Sequence, residues 1–261
     1  MSMQSMKKRE MSFLGSFYSE DKNEINKQFD HFNTLIEKHL EVDVTIKPKA
    51  IIVPHAGYIY SGFTASIAYY YTQVHRYKSV VVIGPSHHHY FEGLSLFKGD
   101  QYATPFGNIE IDNNLCQELS ETSQAHKEHS TEVQMPFIKK YLPFSKVTEI
   151  VYGNNALEKT TNLIDKFLCN EDILVVISTD LSHFHDLQEA KKRDNNCLEA
   201  IVKQDVKKLE LCEACGIIGV TALLRNSQKH QLKSKLLDYR TSADTSKDVN
   251  RVVGYVSALF Y

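Results

Sequence analysis

Three apolar runs in the sequence end on side chains that can bind a metal or move a proton. Ile51-Ile52-Val53-Pro54 leads into His55, and Val80-Val81-Val82-Ile83 passes Gly84-Pro85-Ser86 into His87. Leu174-Val175-Val176-Ile177 passes Ser178-Thr179 into Asp180, with His183 just beyond. Imidazole is the commonest protein ligand for transition metals and titrates near neutrality. A lone histidine of this kind is usually a satisfied structural residue, but arrivals from three separate runs argue for a shared site. Two histidines need one more donor to hold zinc, iron or copper. Cys215 is a candidate because it precedes Gly216 at a helix start, where the ligating thiolate form is favoured. On position alone a small buried hydrophobe is an equally good reading of it.

Other polar clusters are less specific. His87-His88-His89 reads as a run in which one ring enters the crevice and the others face solvent. His126-Lys127-Glu128-His129-Ser130-Thr131-Glu132 gathers two more histidines and two carboxylates, yet it also fits a polar helix start capped by Ser130. Cys212 and Cys215 form a single C-x-x-C without a second pair, which is weak support for a zinc ribbon. The sequence lacks G-x-S-x-G, P-loop and G-x-G-x-x-G patterns, so esterase, nucleoside-triphosphatase and dinucleotide readings lose their usual support.

The elements that must position these residues alternate. Strand-like runs at 50–53, 79–83, 94–97, 147–151, 173–177 and 252–259 are separated by helix-like stretches at 21–40, 64–73, 157–168, 187–203 and 216–226. In the first helix, Ile25, Phe29, Phe32, Leu35, Ile36 and Leu40 build one apolar face. Short, fully apolar strands alternating with helices predict an α/β fold with a central, mostly parallel sheet flanked by helices. In such sheets ligands bind beyond the carboxyl ends of the strands, where His55, His87 and Asp180 are expected. Residues 1–11 read as a loose tail and 12–261 as one domain.

Composition narrows the function classes. With 42% hydrophobic and 24% charged residues the chain is globular rather than disordered. A net charge of −2, without long Lys/Arg blocks, gives no indication of nucleic-acid binding. No apolar run reaches the ~18–20 residues of a membrane span. The polar N-terminus lacks the apolar stretch of a secretory signal. Five irregularly spaced cysteines do not read as a disulfide framework, so a reducing, cytoplasmic location is expected.

The order of motifs resembles the Memo family, which includes protein B of the AmmeMemoRadiSam system. The resemblance rests on Gly15-Ser-Phe17-Tyr18, Pro54-His55-Ala-Gly57-Tyr58, Gly84-Pro85-Ser86-His87, Thr104-Pro105-Phe-Gly107, Glu128-His129-Ser130-Thr-Glu132, Ser178-Thr-Asp180-Leu-Ser182-His183 and Cys215-Gly216. It runs from about Phe13 to Tyr261, and its strength lies in seven motifs in one order. The resemblance implies a fold like that of class III extradiol dioxygenases and a metal site at His55, His87 and Cys215. His183 and His129 would then shuttle protons, Asp180 and Glu132 would orient them, and Tyr58 and Ser86 would bind ligand. A thiolate in place of the dioxygenases' carboxylate favours copper or iron, with zinc as a further candidate. The implied activity is that of a metal-dependent redox protein. The alternative is a non-catalytic module that recognises a peptide or small anionic ligand in the same crevice, in line with the phosphotyrosine-peptide adaptor role described for the family in animals.

Overall fold

A computed structural model of the chain describes residues 6–117 and 119–261. In chain order the elements are β1 (Lys8–Arg9), α1 (Lys22–His39), β2 (Ala50–Val53), α2 (Tyr58–Thr72), β3 (Ser79–Pro85), β4 (Leu94–Leu96), β5 (Gln101–Tyr102) and β6 (Ile109–Glu110). There follow α3 (His129–Glu132), α4 (Met135–Tyr141), β7 (Lys146–Tyr152), α5 (Leu157–Leu168), β8 (Ile173–Ser178) and β9 (His183–His185). The chain closes with α6 (Leu187–Lys203), α7 (Ile217–Lys229), β10 (Ser234–Thr241), α8 (Ala243–Ser246) and β11 (Val252–Phe260).

The main sheet has the order β10-β11-β2-β8-β3-β7-β4, with β9 paired to β11. Its centre, β2-β8-β3-β7, is parallel throughout. β11, β10 and β4 run antiparallel to their neighbours, so the sheet is mixed at its margins. Both faces of the central strands are buried, which is why they read as continuous apolar runs. Ile51, Val53, Val80, Val82, Leu174 and Val176 belong to one core with Phe29 and Ile36 of α1 and Tyr69 of α2. Their alternates, Ile52, Val81, Ile83, Val175 and Ile177, belong to a second core with Ile164 of α5, Ile201 of α6 and Leu223 of α7.

Two features differ from the sequence reading. Residues 1–5 lie outside the described residues, but part of the segment read as a loose tail is ordered. Lys8 and Arg9 pair in parallel with Gln101 and Tyr102, and Arg9 is buried. The second difference concerns the cysteines. Cys197 of α6 is joined to Cys212, just past the 3-10 turn Lys208–Leu211, in a disulfide. An odd cysteine count forbids pairing all five residues but not a single bridge, and the partner of Cys212 is Cys197 rather than Cys215. Among the described residues no helix is long and apolar enough to cross a membrane.

Candidate metal centre

Strand order brings the site together. β8 lies between β2 and β3, and all three are parallel, so their carboxyl ends share one edge of the sheet. His55 follows β2 by two residues, His87 follows β3 by two, and Ser178 is the last residue of β8. The backbone of Cys215 donates to the carbonyl of Asp180 at 3.2 Å, which brings the start of α7 against the end of β8. Gly216 permits that approach, since a Cβ there would lie 2.4 Å from Cβ of Thr179. One donor atom each from His55, His87 and Cys215 then lies within 4.8 Å of the others. Bond lengths of roughly 2.0–2.3 Å put the donors on a tetrahedral ion about 3.3–3.8 Å apart, so the three donors can share one ion after closing by on the order of 1 Å.

The hydrogen bonds fix which nitrogen of His55 is free. Ser178 Oγ donates its one hydrogen to the carbonyl of Ser130. It accepts from Gln134 Nε2 at 3.0 Å, and that amide also donates to the carbonyl of Pro54. Ser178 Oγ must therefore accept from Nδ1 of His55, at 3.0 Å, which leaves Nε2 with its lone pair. That lone pair faces Cys215 Sγ at 3.2 Å. Burial pushes His55 well below the usual histidine range, and the neighbouring imidazoles of His87 and His129 push the same way. The ring is neutral, which is its ligating form.

Glu128 organises the other histidines. Its Oε1 lies 3.0 Å from Nδ1 of both His87 and His129, and its Oε2 accepts from the backbone of His87 at 2.6 Å. Burial alone would raise this carboxyl. Hydrogen bonds from His129 and His87 outweigh it and hold Glu128 well below the usual carboxylate range. With Nδ1 of His87 donating to Glu128, its Nε2 is left as the free donor. This is the arrangement by which an outer carboxylate orients a ligating imidazole. Glu128 also caps α3 by accepting from the backbone of Ser130, so the cap expected of Ser130 belongs to Glu128, and Ser130 Oγ donates to the carbonyl of Pro85 instead.

Cys215 keeps its thiol proton in this setting. Burial pushes the thiol up to about 12, and the Asp180 carboxylate adds to the rise. The thiolate expected from a helix start is outweighed by desolvation, and it forms only if a cation takes the proton's place. Asp180 accepts from the backbone of His55 at 2.8 Å and is itself raised, chiefly by burial, with the opposing pull of the His55 backbone and the His183 imidazole.

The remaining predicted residues divide. His129 stacks on His87 with ring centroids 4.6 Å apart, and His183 donates its backbone N–H to Glu213. Ser86 lines a cavity of about 400 Å3 together with His87, His88, Tyr152, Cys215 and Ile218. Tyr58 does not line it: the residue is buried and its hydroxyl donates to the carbonyl of Val133 at 2.6 Å. Glu132 is equally committed elsewhere. It accepts from the backbones of Ser12 and Phe13 and the Tyr18 hydroxyl, and pairs with Arg9 at 3.0 Å. The orienting role expected of Glu132 is filled by Glu128. His88 is also more involved than the run suggested, with Nε2 3.1 Å from Nδ1 of His129, whereas His89 stacks on Phe91.

Sequence reasoning did not assign Glu128, Ser178, Phe13 and Phe17 to the site. By docking the N-terminal segment, Glu132 places Phe13 against His88 and Phe17 against His129, with centroids 5.7 and 4.7 Å apart. The one available signal for Glu128 was its position beside His129.

Comparison with known proteins identifies the family of the chain. The model of the Memo-like protein family matches residues 9–259. A MEMO1 family protein of Aquifex aeolicus is 33% identical over 98% of this chain and 100% of its own. MEMO1 family proteins of Sulfurisphaera tokodaii and Methanobrevibacter smithii are 33% and 32% identical, over 80% and 82% of this chain and 81% and 83% of theirs.

Proposed function

Since the chain belongs to the Memo-like protein family, we propose that it is a metal-dependent redox protein or oxidoreductase whose single ion is held by His55, His87 and Cys215. The observation that carries the reading is the convergence of a locked imidazole lone pair, a second oriented imidazole and a thiol within 4.8 Å. Copper or iron suits a mixed nitrogen and sulfur set, and zinc is the redox-inert alternative. Such an ion, when bound, supplies one-electron chemistry or Lewis acidity at the edge of the cavity. The chain's own groups do the rest. Ser178 and Glu128 aim the two imidazoles, His129 and His183 would relay protons, and Asp180 fixes the backbone of His55. Phe13 and Phe17 cover His88 and His129. The strand-end placement of His55 and His87 supports a relation to class III extradiol dioxygenases, and a thiolate there moves the expected chemistry away from ring cleavage.

The same pair, Cys215 and His55, has the spacing of a cysteine nucleophile and its base. A thiolate–imidazolium pair needs the thiol lowered and the imidazole raised. Both move the opposite way here, which speaks against that pair as nucleophile and base.

A second reading, a module for a peptide or small anion, draws on the cavity beside Ser86, His87 and His88. Elemental analysis of untagged protein, followed by Cu(I) titration against a chelator, separates the two. Stoichiometric metal lost in Cys215→Ser supports the first, whereas ligand binding indifferent to Cys215→Ser supports the second.

A further inference from the structure

The C-x-x-C spacing is not accounted for by the metal reading, because Cys212 is bridged to Cys197 while Cys215 faces the cluster. Cys197 is fully buried in α6, and Cys212 is half-buried at the end of its turn. Only Glu213 and Ala214 separate Cys212 from Cys215. Glu213 is itself a junction. It accepts from the backbone of His183, lies 2.9 Å from Nε2 of His185, and pairs with Arg193 of α6 at 3.1 Å. The run 212–216 is therefore held at its start by the disulfide, in its middle by Glu213, and at its end by Cys215 and Gly216 against Asp180 and Thr179.

We propose that Cys197–Cys212 is a reversible thiol–disulfide site, with a dithiol reductant as its substrate class, and that its redox state sets how firmly Cys215 is presented to the neighbouring cluster. The second half rests on the metal reading above; the first does not. A structural bridge is usually shielded at both ends, whereas this one joins a buried Cys197 to a half-buried Cys212. Reduction runs through Cys212, since Cys197 is out of reach. A thiolate of the reductant attacks Cys212 Sγ, the Cys197–Cys212 bond breaks, and Cys197 leaves as a thiolate that takes a proton. The reductant's second thiol, as its thiolate, then attacks the mixed disulfide, Cys212 leaves and takes a proton, and the reductant departs as its own disulfide. Two electrons pass to the protein, and both cysteines end as thiols. The start of the run is then tied by Glu213 and by the backbone bond from Cys212 to the carbonyl of Leu209 at 3.0 Å, while its end stays docked through Gly216, so Cys215 gains freedom without the fold opening.

The test uses the full chain in oxidised form, in dithiothreitol-reduced form with the reductant removed anaerobically, and as Cys197→Ser/Cys212→Ser. Co(II) is titrated into each, the thiolate-to-cobalt band is followed, thiols are counted, and hydrogen exchange is read over residues 212–216. The expected result is two added thiols under native conditions and Co(II) affinity about tenfold weaker. Exchange at 212–216 should be faster, and all changes should reverse on reoxidation. A bridge that yields to dithiothreitol only on unfolding overturns the proposal, as does reduction that changes neither affinity nor exchange. If oxidised protein takes up no cobalt, the metal reading fails by itself, and thiol counts with exchange still decide whether the bridge is a reversible site. The double variant, with its melt recorded, guards against effects of residual reductant.

Discussion

Ser178 Oγ accepts Nδ1–H of His55 at 3.0 Å, because the hydroxyl's own hydrogen is directed to the carbonyl of Ser130. One serine thus decides that His55 offers Nε2 to the cluster. Ser178→Ala removes the lock and leaves one hydrogen-bond partner fewer for Gln134. Metal affinity is expected to fall by about tenfold or more, the usual effect of losing an outer partner. The thermal melt should shift by an amount matching about 1–3 kcal/mol for the buried groups left unsatisfied. Unchanged Cu(I) affinity in a folded Ser178→Ala protein would mean that the tautomer is set elsewhere.

The parts of the fold that were legible in the sequence are those whose residues have one job. The central strands are apolar on both faces, so their runs appear at 50–53 and 173–177 almost to the residue. β10 was not legible, because Lys235, Asp238 and Arg240 interrupt an edge strand that is only half-buried. At the site, His55, His87 and Asp180 were readable from their place after strands. Glu128 and Glu132 were not separable, since both are buried acids near His129 and only the packing of the N-terminal segment assigns each its partners. The state of the Cys215 thiol stayed open in the sequence because position at a helix start says nothing of burial.

Glu132 provides the sharpest check on that division. Its carboxylate is buried and serves Arg9, Ser12, Phe13 and Tyr18. Glu132→Ala leaves the Arg9 guanidinium buried without its partner, which should cost about 3–5 kcal/mol. Chemical denaturation measures this. Metal affinity of the folded fraction should change much less than in Glu128→Ala. If Glu132→Ala instead removes metal or activity at full stability, the carboxylate belongs to the chemistry and not to the scaffold.

Acid stability should trace to Glu128. Against the upward push of burial, hydrogen bonds from His129 and His87 hold its folded-state carboxyl well below the usual carboxylate range. A depressed carboxyl contributes stability that is fully present above its unfolded pKa and is lost as pH falls towards the folded one. Wild-type stability is therefore expected to drop as the pH falls below ~4.5. In Glu128→Gln that part of the slope disappears, because the amide takes up no proton. Denaturation midpoints of both proteins between neutral and acid pH provide the comparison. Parallel curves would assign the acid sensitivity to other carboxylates, with the buried Glu149 beside His126 as the next candidate.

Cys215→Ser should weaken copper binding far more than it weakens folding. Serine keeps the shape and can still accept from the backbone of Asp180, which now donates to the sulfur at 3.2 Å. What it lacks is a soft anion: the hydroxyl stays protonated and hard, whereas the thiol, though pushed up to about 12 by burial, releases its proton to solvent when a thiophilic ion binds. The exchange of proton for metal also means that wild-type affinity should rise with pH, and that this slope should flatten in the variant. His87→Ala removes a second donor and should do the same to affinity. His88→Ala should have a smaller effect, acting through His129, which it touches at 3.1 Å, and His89→Ala should have almost none. Cu(I) competition titrations with parallel melts rank the four variants. If Cys215→Ser binds copper as tightly as wild type, the thiol is not a ligand, and the crevice is left to a peptide or small anion.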